Sequence, residues 1–121
     1  MTKIILVVED DEQWFKRMKN DLKYMLEEAD KQAEIVYAET QEEAWTLFKK
    51  YDPDVVIMDA CVPGTTINTQ KLVERIIEGG YANPIITASS SSIFNRQLLE
   101  CGATHNGKDK GTACQVAVEV L

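Results

Sequence analysis

The sequence predicts an α/β fold in which five helices flank a doubly wound, five-stranded parallel sheet. Short apolar runs alternate along the chain with longer amphipathic stretches, which is the order of elements in βα units. A length of 121 residues is enough to bury one core. We therefore expect residues 1–121 to form a single domain.

The first two βα units are predicted from apolar spacing. Residues 4–8 form a continuous, mostly β-branched apolar run, which is typical of a strand covered on both faces. Apolar residues then recur at helical spacing between residues 12 and 28. Residues 34–38 predict the second strand. Thr40 and Glu43 have the spacing of a capping box at the start of the second helix.

The third and fourth units follow the same pattern. Residues 55–58 and 85–88 are apolar runs that predict strands. The helix between them places its apolar residues on one face, and Gly79 stops it. A fourth helix is predicted over residues 93–100.

The C-terminal unit is predicted less directly. Residues 104–108 give a weak fifth strand. Residues 115–121 have the length of a short helix, but their valines alternate as they would in a strand. The position of this segment in the βα series favours a helix.

Charge and cysteine content limit the classes of partner. The formal net charge of −7 argues against direct binding to nucleic acid and against an anionic membrane surface. Cys61, Cys101 and Cys114 lack the spacing of a metal site and are expected to be reduced thiols. The N-terminal apolar run is too short for an export or membrane signal, so we expect a cytoplasmic protein.

Acidic residues follow two strands that should be neighbours. Glu9 and Asp10 come directly after the first strand, and Asp59 comes directly after the third. In the flavodoxin-like strand order 2-1-3-4-5 these strands are adjacent, and sites in such sheets lie at the carboxyl ends of the strands. The three carboxylates should therefore converge in one pocket.

Converging carboxylates favour a bound cation, because they repel one another without it. Mg²⁺ fits best, since it binds one or two carboxylates together with phosphoryl oxygens. We predict Glu9, Asp10, Asp59 and the backbone carbonyl of Cys61 as its ligands. Asp59 is also placed to attack a phosphorus atom and form an acyl phosphate. Taken alone, the acidic run is equally typical of a solvated helix start.

Polar residues after the last two strands complete the predicted pocket. Ser89, with Thr87 as an alternative, offers a hydroxyl that can donate a hydrogen bond to a phosphoryl oxygen and bias a two-state loop. Lys108 and Lys110 both follow the fifth strand, and either could neutralise a phosphoryl oxygen and pair with Asp59 at rest.

These motifs resemble the receiver domain of bacterial two-component response regulators. Residues 5–12, Ile-Leu-Val-Val-Glu-Asp-Asp-Glu, resemble the first strand and acidic pair of that family. Residues 54–64, Asp-Val-Val-Ile-Met-Asp-Ala-Cys-Val-Pro-Gly, resemble its phosphorylation strand. Residues 84–90 resemble the fourth strand with its switch hydroxyl, and residues 101–103 resemble the Ala-Gly-Ala step before the fifth.

The resemblance implies a signalling role rather than an independent enzyme activity. A histidine kinase or phosphotransfer protein would donate the phosphoryl group, and Asp59 would become 4-aspartylphosphate. The domain would catalyse only its own Mg²⁺-dependent phosphorylation and dephosphorylation. The resemblance also implies that the fourth helix, fifth strand and fifth helix transmit the change to a downstream partner protein.

The region after the fifth strand departs from the family pattern. Counting from Gly102, the usual aromatic position is Asn106, so the family's coupling of hydroxyl and aromatic side chains is not expected. The usual lysine position is Asp109, and no proline follows it. A one-residue deletion would make Lys108 the equivalent lysine, and an insertion would make it Lys110. We expect Lys108.

Two other functions compete with an active receiver. A pseudo-receiver would keep the fold as a protein-binding module without phosphorylation, as the altered region after the fifth strand would allow. A Mg²⁺-dependent phosphohydrolase with an aspartyl nucleophile would resemble Asp-x-Asp at this strand. The residues after Asp59 are Ala60 and Cys61, which disfavours that class.

Overall fold

The computed structural model describes residues 2–121 and contains a five-stranded parallel sheet in the order β2-β1-β3-β4-β5. This topology confirms the predicted doubly wound, flavodoxin-like fold. The strands are β1 (Lys3–Val8), β2 (Ala33–Ala38), β3 (Val55–Met58), β4 (Ile85–Thr87) and β5 (His105–Asn106). The helices are α1 (Glu12–Glu28), α2 (Gln41–Tyr51), α3 (Gln70–Glu78), α4 (Ser92–Glu100) and α5 (Lys110–Glu119).

The sheet is covered on both faces, which explains the continuous apolar run in β1. Ile5 and Val7 belong to a buried cluster with residues of α1 and α5. Leu6 and Val8 belong to a second cluster, on the face covered by α2, α3 and α4. Successive side chains of a strand point to opposite faces, so a strand buried on both sides needs apolar residues at every position.

Side-chain caps fix the start of four of the five helices, α3 being the exception. Asp11 caps α1, and its Oδ1 accepts a hydrogen bond from the backbone N–H of Gln13 at 2.9 Å. Thr40 caps α2 as predicted, and its Oγ1 accepts from the backbone N–H of Glu43 at 3.1 Å. These oxygens satisfy N–H groups that have no partner within the helix.

The C-terminal unit differs from the prediction in its boundaries. The last segment is a helix, as expected, but α5 begins at Lys110 instead of the predicted residue 115. Asp109 caps it, and small side chains such as Ala113 and Ala117 pack closely against the sheet. Gly111 in its first turn is a weak helix former, which obscured this start in the sequence.

The outer surface carries few large apolar side chains. Trp14, Tyr24 and Ile93 are the exposed large hydrophobic residues of the described chain. Cys61, Cys101 and Cys114 form no disulfide with one another. Within residues 2–121, none of the helices combines the length and the apolar character that crossing a membrane requires.

Candidate functional site

Acidic side chains meet at the carboxyl ends of the adjacent strands β1 and β3. The strand register pairs Val8 with Met58, so the residues that follow them emerge side by side. One carboxylate oxygen from each of Glu9, Asp10 and Asp59 lies within 4.8 Å of the others. The structure thus brings together the three carboxylates that the sequence analysis placed in one pocket.

Backbone N–H groups help to orient these carboxylates. Asp10 Oδ2 accepts a hydrogen bond from the N–H of Gly64 at 3.1 Å, which connects the loop after β1 to the loop after β3. Asp59 Oδ1 accepts from the N–H of Ala60 at 2.8 Å. Glu9 Oε2 accepts from the N–H two residues further along its own loop at 3.0 Å. The other carboxylate oxygen of each residue can therefore contact a cation.

Lys110 is the cation of this site. Its Nζ lies 2.6 Å from Glu9 Oε1 and 3.3 Å from Asp59 Oδ2. The expectation that Lys108 occupies this place is wrong, because Lys108 is an exposed residue of the loop after β5. The lysine that reaches the pocket thus lies one residue after position 109, where counting from Gly102 places the family lysine.

The loop between β5 and α5 explains the shift. Lys108 has a φ of 67° and donates its backbone N–H to Asn106 Oδ1 at 2.9 Å, which closes a tight turn. Asp109 then caps α5 by accepting from the N–H of Thr112 at 2.7 Å. Lys110 is consequently the first helical residue, and its side chain projects from a rigid element.

Burial and repulsion make the acidic pocket dependent on a cation. Burial raises the pKa of Glu9 to about 7, and the nearby charge of Asp59 adds to this, against the opposing effect of Lys110. Burial also raises the pKa of Asp59 above its usual range. Burial lowers the pKa of Lys110, but its two carboxylate neighbours outweigh this and raise it overall.

The donor set fits a hard divalent cation. All three side chains offer oxygen ligands, and their separation allows one ion to contact all of them. Glu9 and Asp59 are buried, so their charges need a neighbouring positive charge, which Lys110 provides only in part. Mg²⁺ is therefore compatible with the residues present.

The loop after β3 is anchored by residues that the sequence analysis missed. The buried Thr69 lies within donor distance of two carbonyl oxygens, 2.8 Å from that of Asp59 and 3.1 Å from that of Ala60. Asn68 Oδ1 accepts from the N–H of Val62 at 2.7 Å. These contacts span several residues of a loop, and no periodic pattern in the sequence reveals them.

Cys61 lies inside this anchored segment. Its side chain is buried, and burial raises the pKa of its thiol, as do the charges of Asp59 and Asp10. A thiol with a raised pKa is protonated near neutral pH and is a poor nucleophile. The part that the Cys61 backbone carbonyl plays as a metal ligand stays a prediction.

Ser89 and Thr87 occupy different environments at the end of β4. The buried Thr87 lies in the strand, and its Oγ1 accepts from the N–H of Gly107 at 3.2 Å, so it faces β5. Ser89 follows the strand and is also buried, and its Oγ accepts from the N–H of Ser91 at 3.0 Å. Thr87 Oγ1 also lies 3.5 Å from Asn106 Oδ1, to which it can donate its hydroxyl hydrogen. The assignment of Ser89 as a donor to a phosphoryl oxygen stays a prediction.

Comparison with protein families identifies the part of the chain that contains the acidic residues. The family model for the response regulator receiver domain matches residues 5–106, which include all of the acidic site except Lys110. No curated protein matches the chain with significant similarity.

Solved structures with the same fold cover most or all of the chain. The N-terminal domain of an uncharacterised Wolinella succinogenes protein is 25% identical, with a TM-score of 0.68 over 88% of this chain and 80% of that one. The chemotaxis response regulator CheY4 of Vibrio cholerae is 20% identical, with a TM-score of 0.74 over 100% of both chains. The receiver domain of the putative response regulator NarL of Mycobacterium tuberculosis is 15% identical, with a TM-score of 0.75 over 98% and 94%.

Proposed function

Because this chain belongs to the response regulator receiver family, as its sequence predicted, we propose that it is a receiver that accepts a phosphoryl group on Asp59. The observation that carries the proposal is the cluster of Glu9, Asp10 and Asp59 with Lys110 at the carboxyl end of the sheet. Receivers are signalling domains, and we propose that residues 1–121 work as one such domain.

The proposed reaction is an in-line phosphoryl transfer. A carboxylate oxygen of Asp59 attacks the phosphorus atom of a phosphohistidine, and an acyl phosphate forms. The phosphorus–nitrogen bond breaks, and its electron pair leaves with the donor imidazole. Asp59 must be ionised to attack, so the neighbouring cation that keeps this buried carboxylate charged contributes directly to the reaction.

Mg²⁺ is the cofactor that we propose for this site. Glu9, Asp10, Asp59 and the backbone carbonyl of Cys61 would hold it, and it would neutralise negative charge on the phosphoryl oxygens. Lys110 pairs with Glu9, so a metal bound by Glu9 would free the ammonium group of Lys110 to contact the phosphoryl group.

Lys110 and Ser89 are the proposed contacts of the phosphoryl group. Lys110 lies on the first turn of α5, next to Asp59, and offers a charge-assisted hydrogen bond. Ser89 offers its hydroxyl from the loop after β4, and a bond that exists only with phosphate present would shift the loop between two states. We assign to Lys110 the role that the sequence analysis gave to Lys108.

We further propose that the donor is a histidine kinase or a phosphotransfer protein and that the output passes to another protein. The family membership supports the donor class. The net charge of −7 supports a protein partner over nucleic acid.

Intact-mass spectrometry tests the proposal. The protein is incubated with acetyl phosphate and Mg²⁺, with and without a chelator, beside the Asp59→Asn variant. We expect the wild type to gain one phosphoryl mass only when Mg²⁺ is present, and the variant to gain none. A wild type that binds no Mg²⁺ and gains no mass would contradict the proposal and favour the pseudo-receiver. In that case the Lys110–Glu9 ion pair would be a permanent substitute for the metal.

A further inference from the structure

Asn68 lies just before α3 and uses both ends of its side-chain amide on the loop after β3. Its Oδ1 accepts a hydrogen bond from the N–H of Val62 at 2.7 Å, and its Nδ2 donates to the carbonyl oxygen of Pro63 at 2.9 Å. An N–H can only donate and a carbonyl oxygen can only accept, so the two contacts together determine which way the amide is turned. Asn68 thus holds two successive residues of the loop.

The first contact sets the direction of the Cys61 carbonyl. This carbonyl and the N–H of Val62 belong to one planar peptide unit, which is trans and therefore carries the two groups on opposite sides. Because the N–H points at Asn68, the carbonyl oxygen of Cys61 points away from it. The peptide unit cannot rotate without breaking the hydrogen bond to Asn68. This carbonyl is the one that we propose as a ligand of Mg²⁺.

The second contact links Asn68 to a carboxylate of the acidic site. The carbonyl of Pro63 and the N–H of Gly64 also share one trans peptide unit. Asn68 binds this unit at the carbonyl, and Asp10 Oδ2 accepts a hydrogen bond from the N–H at 3.1 Å. The unit is therefore held between Asn68 on one side and Asp10 on the other. Its position determines where one oxygen of Asp10 lies, and so where the other oxygen is presented.

Gln41, the first residue of α2, holds Asn68 in place. Its Nε2 lies 3.1 Å from the carbonyl oxygen of Asn68, 3.3 Å from Asn68 Oδ1 and 2.7 Å from the carbonyl oxygen of Val62. The backbone N–H of Asn68 also donates to the carbonyl oxygen of Ala60 at 2.9 Å. Asn68 is exposed, but these contacts connect it to a helix and to the end of β3. Its amide is consequently a fixed support for the loop.

We propose that Asn68 is a positioning residue of the metal site, which orients the Cys61 carbonyl and, through Gly64, the Asp10 carboxylate. The proposal rests on the Mg²⁺ site of the proposed function. Groups that orient metal ligands without touching the metal have a large effect on its affinity. The hydrogen bonds of the Asn68 side chain go to the loop and to Gln41, so the effect falls on metal affinity and not on the phosphoryl transfer itself.

Asn68→Ala tests the proposal, because it removes both side-chain contacts and leaves the net charge unchanged. The electrostatic attraction of the pocket for a cation is therefore preserved. Thr66→Ala is the matched control, since Thr66 is an exposed residue of the same loop whose side chain makes none of these contacts. Both replaced residues are exposed, so neither change opens a cavity in the core. Circular dichroism checks that both variants are folded.

Three quantities are compared between the wild type and the two variants. Amide hydrogen exchange of Val62, measured by NMR without metal, reports directly on the N–H that donates to Asn68. Titration with Mg²⁺, followed by the backbone amide signals of Asp10 and Gly64, gives the dissociation constant of the metal. The rate of phosphoryl uptake from acetyl phosphate is measured at a Mg²⁺ concentration that saturates each protein.

We expect Asn68→Ala to raise the Mg²⁺ dissociation constant about tenfold, the usual effect of losing a group that orients a ligand. Exchange at Val62 should become about 2- to 10-fold faster, because one hydrogen bond is lost. The uptake rate at saturating Mg²⁺ should stay close to that of the wild type, and Thr66→Ala should resemble the wild type in all three quantities.

An unchanged dissociation constant in Asn68→Ala, an equal rise in Thr66→Ala, or unchanged exchange at Val62 would overturn the proposal. So would a variant that binds Mg²⁺ normally but takes up phosphate slowly at saturation. A wild type that binds no Mg²⁺ would contradict the metal site of the proposed function, and with it any effect of Asn68 on the metal. Exchange at Val62 would then still show whether Asn68 holds the loop.

Discussion

At the residue scale, Lys110 balances the charge of the acidic pocket. Its ammonium nitrogen pairs with two buried carboxylates that would otherwise repel each other. Counting along the sequence from Gly102 could not identify it, because the turn at Lys108 and the cap at Asp109 decide which lysine reaches the pocket. The sequence identified the need for a cation here, but not the residue that supplies it.

Replacing each of the two lysines separately tests this assignment. Lys110→Ala should slow phosphoryl uptake from acetyl phosphate by about 10- to 100-fold, because one fixed contact to the developing charge is lost. Lys108→Ala should leave the rate unchanged, since that side chain is exposed. The rates are measured by intact-mass spectrometry at saturating Mg²⁺. A larger effect at Lys108 than at Lys110 would contradict the placement.

Glu9 should make the metal-free protein less stable as the pH rises. Burial raises the pKa of Glu9 to about 7 in the folded protein, whereas a free glutamate side chain has a pKa of about 4.5. The folded state therefore binds more protons between these values, and the free energy of unfolding falls with rising pH. The raised pKa of Asp59 acts in the same direction. The decrease should be on the order of 1–3 kcal/mol.

Urea denaturation at several pH values across this window, in the presence of a chelator, measures the effect. Glu9→Gln removes the titrating group and should flatten the dependence. A free energy of unfolding that rises with pH in the wild type over the same window would be the opposite of this expectation.

At the scale of elements, α5 is important because it carries Lys110 on its first turn. Asp109 caps the helix, and the hydrogen bonds it accepts from Thr112 lower its pKa. Asp109→Ala should reduce the free energy of unfolding by about 1 kcal/mol, the usual cost of a lost N-cap. It should also slow phosphoryl uptake, because the first turn frays. Chemical denaturation and the uptake assay measure the two effects.

Asp109→Asn is the control for this prediction. Asparagine caps helices about as well as aspartate, so this variant should keep most of the stability. If the alanine and asparagine variants are equally stable, the cap does not hold the start of α5.

The elements of the fold were predictable where the sequence is periodic. Strands β1 and β3 are continuous apolar runs because both faces of the sheet are covered, and α1 has regular helical spacing. The boundaries of β5 and α5 were not predictable, because packing against the sheet decides them. Gly107 is required by the close approach of Thr87 and Ala113, a contact that exists only in the folded chain.

The carboxylates of the candidate site were predictable, and the loop residues around them were not. Glu9, Asp10 and Asp59 follow from strand ends and strand order, which the sequence specifies. Thr69 and Asn68 were not predictable, because each forms hydrogen bonds with backbone groups of residues six to ten positions earlier in the chain. Polar side chains of this kind have no periodic signature, and only the folded arrangement of the loops identifies their partners.

At the scale of the whole molecule, metal binding should stabilise the fold. Mg²⁺ would bind the folded pocket, whereas the unfolded chain does not hold the three carboxylates together. The free energy of unfolding should rise by about 2.7 kcal/mol when Mg²⁺ is present at a hundred times its dissociation constant. Thermal melting with added Mg²⁺, against sodium chloride of equal ionic strength, measures this rise.

Asp10→Asn is the matched variant for the metal prediction. It removes one of the three carboxylates with almost no change in shape, so the stabilisation by Mg²⁺ should become much smaller. Equal stabilisation of wild type and variant would place the metal elsewhere on the acidic surface.

Chemical trapping can show directly whether Asp59 itself carries the phosphoryl group. Sodium borohydride reduces an acyl phosphate to a primary alcohol, with release of phosphate, and so leaves a stable mark on the modified residue. The protein is treated with acetyl phosphate and Mg²⁺, reduced, digested and sequenced by tandem mass spectrometry. We expect the mark at Asp59 and at no other carboxylate. A mark at Glu9 or Asp10, or none on a protein that binds Mg²⁺, would contradict it.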